Sequence, residues 1–416
     1  MMPANELKTR ALARAGMLGE RDDALAAVRA QARDRLEATP FPDRKTEQWK
    51  YTSLQPISSA HLETPAADAE IDIDVDFDGY QLVFVNGRYR TDLSLLPDEK
   101  GLTLIRLDGK RDPENEFSDQ YRSPFAWLNL ANLEDGLLLR VADNYRIQRP
   151  LHVIFAGRSD SPASCHTRLH LELGNGSAAT LIEHYLGDGP LLTNAVTEIR
   201  TGIGSHLTHY RIQSEAADSM HIGTLLMNPG RDSQLHSFQL MQGSQLRRND
   251  IQAILDRPGA HLTLDGVFVG RGKSHTDNQI CIEHRSPDCT SEQTFRGMAG
   301  DEARIVFNGR IHIHKGAQRT NAHLSNKNLL LNPGAEIDTK PELEIYNDDV
   351  RCSHGATVGQ IDREAIFYLR ARGISERDAQ RMLGLGFINE LVMRLEHQPI
   401  SDWALPWLGS SLTDNT

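Results

Sequence analysis

The chain has 416 residues, of which 39% are apolar, 25% charged and 6% aromatic. At about 150 residues per domain this length suggests two or three domains, and the apolar share fills a core, which excludes global disorder. With 45 Lys+Arg against 57 Asp+Glu the net charge is −12, a poor match to a nucleic-acid backbone, where basic patches supply most of the affinity.

No apolar run is long enough to span a membrane. The N-terminus, MMPANELKTRALARAG, lacks the apolar core of a secretory signal. Four cysteines (Cys165, Cys281, Cys289 and Cys352) are too few for a disulfide scaffold. The reading is a cytoplasmic chain with free thiols.

The first forty residues read as helix, with Leu25, Ala26, Val28, Ala32 and Leu36 at helical spacing, and Thr39-Pro40 ends the run. Residues 41–52 are mixed polar and aromatic. The Ala-, Asp- and Ser-rich stretch after them, ending IDIDVDFDG, reads as a linker. From about residue 79 the texture is β: QLVFVNGRYR reads as strand, turn at Asn86-Gly87, strand. From about 150 to 360 short strands follow one another with few stretches able to hold a helix. Turns at Gly176, Gly204, Gly230, Gly259, Asp288 and Gly316 are spaced by 28, 26, 29, 29 and 28 residues, and later turns read at Pro333-Gly334 and His354-Gly355 follow at shorter gaps of 18 and 21. A near-constant period without sustained helix points to stacked coils, a parallel β-helix. The competing reading is an irregular sandwich of even hairpins.

Helix returns at the C-terminus. Asp362 caps REAIFYLRAR and Gly373 stops it. Ser375, with Asp378 three residues on, forms a capping box, and Ile374 can staple against Ala379. The helix that follows carries Ala379, Leu383, Phe387, Leu391 and Leu395 every four residues. The tail after Pro399 keeps two Trp without a clear pattern. The chain thus divides into 1–75 (helices and linker), 76–361 (β region) and 362–416 (helical).

Motifs that carry chemistry are sparse. Gly272-Lys273-Ser274 copies the end of a phosphate loop, but position 267 is Val267 instead of Gly, and SHTDNQICIEH after it alternates like a strand. A β turn is the reading. His312 and His314 share a strand face, a spacing that can bind metal, yet no carboxylate or Cys at metal spacing sits beside them in sequence. Cys281 and Cys289, with His284 between them, lack the spacing of a zinc site. Asp348-Asp349 reads as turn. GxSxG, HExxH and CxxC are all absent. Cys352 and His354 are the leading candidates: one residue apart on an extended backbone they point the same way, and thiolate with imidazole suits iron or an iron–sulfur cluster. Two ligands are too few, so others must come from elsewhere. A buried free Cys beside a turn His remains the alternative.

Several blocks carry a resemblance. PELEIYNDDV (341–350), CSHGATVG (352–359) and RGIS (372–375), in that order, resemble the SufD branch of the SufB/SufD family of the SUF iron–sulfur cluster assembly system. FPDRKTEQWKYTSL (41–54) and FAWLNLANLEDGLLLRV (125–141) resemble two further family blocks, so the likeness runs from about residue 40 to 390. The CSHGATVG block and the length favour SufD over SufB. The resemblance implies a mainly β fold, with a right-handed parallel β-helix between helical regions. It implies a non-enzymatic scaffold that pairs with a SufB-type paralogue and docks a SufC-type ABC ATPase, which alone binds nucleotide. It implies a transient cluster shared with the partner subunit and held in part by Cys352 and His354. Ala379, Leu383, Phe387 and Leu391 are expected at the ATPase surface. A homodimer of the isolated chain is a further expectation. A β-helix enzyme acting on polysaccharide is the alternative function.

Overall fold

The computed structural model describes residues 2–19, 23–110, 117–121 and 123–412. Its strands form two sheets, one of ten strands and one of nine, facing each other. From Leu137–Val141 onward successive strands alternate between the sheets, so each pairs with the strand two places on, in parallel. Met220 pairs with Leu246, 26 residues on, and Arg304 with Glu336, 32 residues on. These offsets bracket the turn spacing read from sequence: the rhythm is one coil of a parallel β-helix. An irregular sandwich would need antiparallel ladders. Among the described residues those occur only at the N-terminal end, in Tyr80–Val85 with Arg88–Tyr89 and Leu102–Arg106 with Leu137–Val141. The first of these hairpins turns at Asn86 and Gly87, both with positive φ (50° and 82°), as a tight two-residue turn between strands requires.

The interior between the sheets is a column of aliphatic and aromatic side chains, among them Leu181, Leu207, Ile251, Leu262, Ile280, Ile311 and Leu324. Phe268, Phe295 and Phe307 stack within it, with ring centroids 5.0 to 6.4 Å apart. Phe307→Ala is expected to cost about 3–5 kcal/mol, because a packed lumen cannot collapse onto the void. The drop in urea midpoint measures it.

Both outer faces are covered in the middle of the stack, so strands such as Leu191–Thr201 and Met220–Asn228 are buried along almost their whole length although they carry polar residues among the apolar ones. On one face the short helix Pro124–Ala131 sits on the nine-stranded sheet, and helices Met2–Gly19 and Ala26–Ala38 pack over it, so that Ala32 and Leu36 join one buried cluster with Leu192, Val196, Ile222 and Leu246 of the sheet. On the other face lie Glu376–Val392 and Gln398–Ser411, whose Ile388, Leu391, Val392, Ile400 and Leu408 meet Tyr210, Phe238, Val267 and Met298. The caps expected at Asp362 and Ser375 are present: Asp362 accepts from the backbone of Glu364 and Ala365, Ser375 from that of Asp378. Helix Gln398–Ser411, starting with Pro399 in its first turn, takes in the Trp-containing tail that had no clear pattern.

The stretch expected to be a linker is a strap. Ala69, Ile71 and Ile73 pack on Val83, Val85, Ile154 and Ala156, while Val75 and Phe77 reach the cluster beneath the C-terminal helices. Asp68, Glu70, Asp72, Asp74, Asp76 and Asp78 alternate with them and face solvent. The Gly272-Lys273-Ser274 turn joins strands His261–Gly270 and His275–His284, so no helix N-terminus follows it. Lys273 extends into solvent toward Glu302.

Candidate functional site at the open end of the β-helix

The last strand of the ten-stranded sheet, Val350–Gln360, pairs in register with Thr320–Leu330, placing Cys352 beside Ala322 and His354 beside Leu324. Registered parallel neighbours share a face. Ala322 and Leu324 are 1% and 0% exposed in the interior column, so Cys352 and His354 belong to the interior row as well. The sequence expectation that both point the same way holds, and the structure adds the direction: into the lumen.

Among the described residues no further coil covers them. Val350–Gln360 ends one sheet and Glu336–Ile345 ends the other. The interior row of the latter strand includes Ile337 and Leu343, both only partly buried, as are Val350 and Cys352. His354 and Val358 are exposed. The helix therefore stops with an apolar mouth rimmed by two strand edges, of which Glu336–Ile345 carries charged side chains and Pro341. Burial pushes the Cys352 thiol up from its ordinary range, so it stays protonated at neutral pH until a metal displaces the proton.

The other candidates separate. The His312 and His314 rings stack at 4.1 Å on the outer face of the nine-stranded sheet, His312 beside Glu344 (3.3 Å) and His314 beside Glu283 (3.4 Å). Cys281 accepts from Arg310 at 3.4 Å on that outer face. Cys289 is in the interior column, its thiol pushed up to about 11 by burial. The two cysteines thus lie on opposite sides of the coil wall, which removes a shared metal. Among the described residues no group of three or more His, Cys, Asp or Glu is placed to hold a metal ion, so Cys352 and His354 are at most part of a ligand set.

The helical stripe divides unevenly. Ala379 and Leu391 are 0% and 1% exposed and pack inward, because Glu376–Val392 lies directly on the sheet. Leu383 and Phe387 are half-buried. As contact residues for a partner, Ala379 and Leu391 are corrected: their surface is already used. Among the described residues of the C-terminal helical region, Phe367, Tyr368, Met382 and Met393 are the large apolar side chains left exposed. Sequence reasoning missed Phe367 and Tyr368 because both lie in the short helix Arg363–Arg370, where only Ile366 is buried. Among the described residues no helix is long and apolar enough to cross a membrane.

A family model described as SUF system FeS cluster assembly, SufBD core domain, matches residues 155–387, from an early coil through the mouth to the C-terminal helices. The iron–sulfur cluster assembly protein SufD of Escherichia coli is 31% identical over 91% of this chain and 90% of its own length. A SufBD family iron–sulfur cluster assembly protein of Synechocystis is 29% identical over 90% of this chain and 88% of its own. SufD of Bacillus subtilis is 24% identical over 88% of this chain and 89% of its own. Family-model match, near-full-length likeness and the β-helix agree, and the chain belongs to the SufBD family of iron–sulfur cluster assembly proteins.

Proposed function

We propose that the chain is a non-enzymatic scaffold subunit of a cytoplasmic iron–sulfur assembly complex. Its open end pairs with a SufB-type paralogue, and a SufC-type ABC ATPase docks on its C-terminal helices and performs the ATP hydrolysis. The observation that carries the reading is the uncapped mouth, with Cys352 and His354 in the interior row of the final strand. A second β-helix set against that mouth buries the apolar rim and satisfies both strand edges. It also turns the mouth into a crevice shared by two subunits.

Within the crevice a thiolate and an imidazole from this chain join ligands of the paralogue around a cluster in transit. An incomplete set suits cargo that must leave. Imidazole anchors iron less firmly than a second thiolate, which favours release. In the complex co-expressed with its paralogue and ATPase, His354→Ala is expected to lower iron and sulfide content by more than half while the subunits still co-purify. Cys352→Ser lowers it less, since a half-buried Cys also serves packing. Full loading in both single variants and in the double variant would reduce the pair to structure.

A further inference from the structure

Residues 39–49 cross the outer face of the nine-stranded sheet and are pinned there. Arg248 donates to the backbone oxygen of Gln48 at 2.9 Å and lies over the Trp49 ring at 3.8 Å, and Lys340 pairs with Glu47 at 2.7 Å. Between this segment and the sheet runs a cleft of about 380 Å³, within the range of small-molecule pockets, roughly 300–1,000 Å³. Its floor is two registered rows: Thr224, Asp250, Gln279 and Asn308 in one, Gln252, Cys281 and Arg310 in the other. At about 4.8 Å per strand the first row spans roughly 14 Å, the reach of a short peptide. At its inner end the Thr224 hydroxyl, on a residue 7% exposed, has no hydrogen-bond partner among the described residues, and neither has Nε of Arg248, 1% exposed. Buried polar groups ordinarily have partners, so this end is built to receive one. Along the middle, the side-chain amides of Gln252, Gln279 and Asn308 offer both donors and acceptors, the complement of peptide groups. At the outer end the partly exposed Cys281 accepts from Nη2 of Arg310 at 3.4 Å. Trp49 is 5% exposed and already packed against Arg248 and Phe125, so the cleft offers a flat ring little aromatic surface and suits a chain-like ligand better.

We propose that Cys281 and this cleft form a thiol-exchange site for a small peptide disulfide, a class that glutathione disulfide represents. The Cys281 sulfur, having given its proton to solvent, attacks one sulfur of the disulfide. The old S–S bond breaks, a new one joins Cys281 to one peptide half, and the other half leaves as a thiolate that takes up a proton. One disulfide replaces another, so no further oxidant enters, and a free thiol reverses the step. Arg310 stabilises the negative charge on sulfur during the exchange and offers its remaining donors to a peptide carboxylate. The bound half lies along the amides, and its far end meets the Thr224 hydroxyl. The other three cysteines are poorly placed for the same reaction. Cys165 and Cys289 are buried, their thiols pushed up to about 12 and about 11, and burial raises the Cys352 thiol as well, whereas the attacking species is the thiolate.

The test is the reaction of the full chain with glutathione disulfide, followed by intact mass and peptide mapping. One glutathionyl group on Cys281 is expected, and Cys281→Ser should abolish it. The rate should saturate with disulfide concentration and exceed that of hydroxyethyl disulfide, which is too short to reach the inner end, by about tenfold, the value of one or two well-placed hydrogen bonds. Gln279→Leu, which keeps the size and removes the amide, is expected to abolish saturation while the hydroxyethyl disulfide rate stays as it was. Thr224→Val makes the same test from the buried end and covers a failure of Gln279→Leu to fold. Equal rates for the two disulfides without saturation would show a merely accessible thiol and overturn recognition by the cleft. Saturation that survives in both variants would overturn it too, and an adduct on Cys352 with Cys281 unmodified would overturn the site itself.

Discussion

At pH 4.5 the chain is expected to unfold at a markedly lower urea concentration than at pH 7.5, with the loss beginning below pH 6.5. Four histidines are buried in forms that resist protonation. Burial holds His184 and His284 at about 4, and holds His152 and His166 well below the usual value. In the unfolded chain each binds a proton near pH 6.5. Between that pH and the folded value the unfolded state therefore holds more protons, and stability falls as pH falls. Each group contributes at most about 1.4 kcal/mol per pH unit across its window. Three internal carboxylates extend the trend. Burial alone would raise Glu183, Glu198 and Glu215, but each is held down at about 2: Glu183 by Arg211 and His209, Glu198 by His170 and Arg168, Glu215 by His221 and Arg247. A depressed carboxyl stabilises above its unfolded value, near 4.5, and that contribution is lost as pH drops toward 2. The two sets act in sequence and with the same sign. His184 lies against Phe77 and Trp403, where strap and last helix meet the sheet, so this corner is expected to loosen first. His184→Phe should flatten the acid slope between pH 6.5 and 4. A urea midpoint unchanged between pH 7.5 and 4.5 would contradict the account.

How far the sequence spoke for itself varied with the physics. The β-helix was legible because a coil needs a turn at a fixed interval, and Gly, Asn and Pro mark those turns openly. Caps were legible because Asp362 and Ser375 act through neighbours two or three residues away. The strap was not. Its period-two alternation, IDIDVDFD, is a strand pattern, but the density of acids suggested solvated coil, and only the sheet beneath explains why the intervening Ile, Val and Phe are buried. The interior Glu–His–Arg groups were invisible for a related reason. Glu183 meets His209, 26 residues on, through the stacking of coils, and no local signal announces such a contact. At the mouth, the direction shared by Cys352 and His354 was legible but not that the lumen opens there, since an uncapped end is a property of what does not follow. The helical stripe was read correctly as apolar, but two of its residues, Ala379 and Leu391, are spent on the sheet: periodicity tells that a face is buried, not by what.

That last distinction sets two substitutions apart. Leu391→Asp is expected to release the C-terminal helices from the β-helix. The Leu391 side chain is buried in the apolar cluster that includes Val267 and Ile388, where an aspartate loses its water. Losing the leucine costs about 2–5 kcal/mol, and desolvating a carboxylate adds several more. The helices touch the sheet mainly through this cluster, so the expected product is a folded β-helix with its C-terminal segment open to protease after Gln360, where the last strand ends. Limited proteolysis would show a shortened species that keeps its β signal in circular dichroism. Phe367→Asp, at a side chain 75% exposed, should leave the thermal midpoint nearly unchanged, as surface substitutions do within about 0.5 kcal/mol. If the ATPase docks on the helix that exposes Phe367 and Tyr368, the same substitution lowers its co-purification. The two variants then divide one helical region into a part that holds the subunit together and a part left for a partner. Equal loss of stability in both would show that Phe367 is structural and move the docking surface elsewhere.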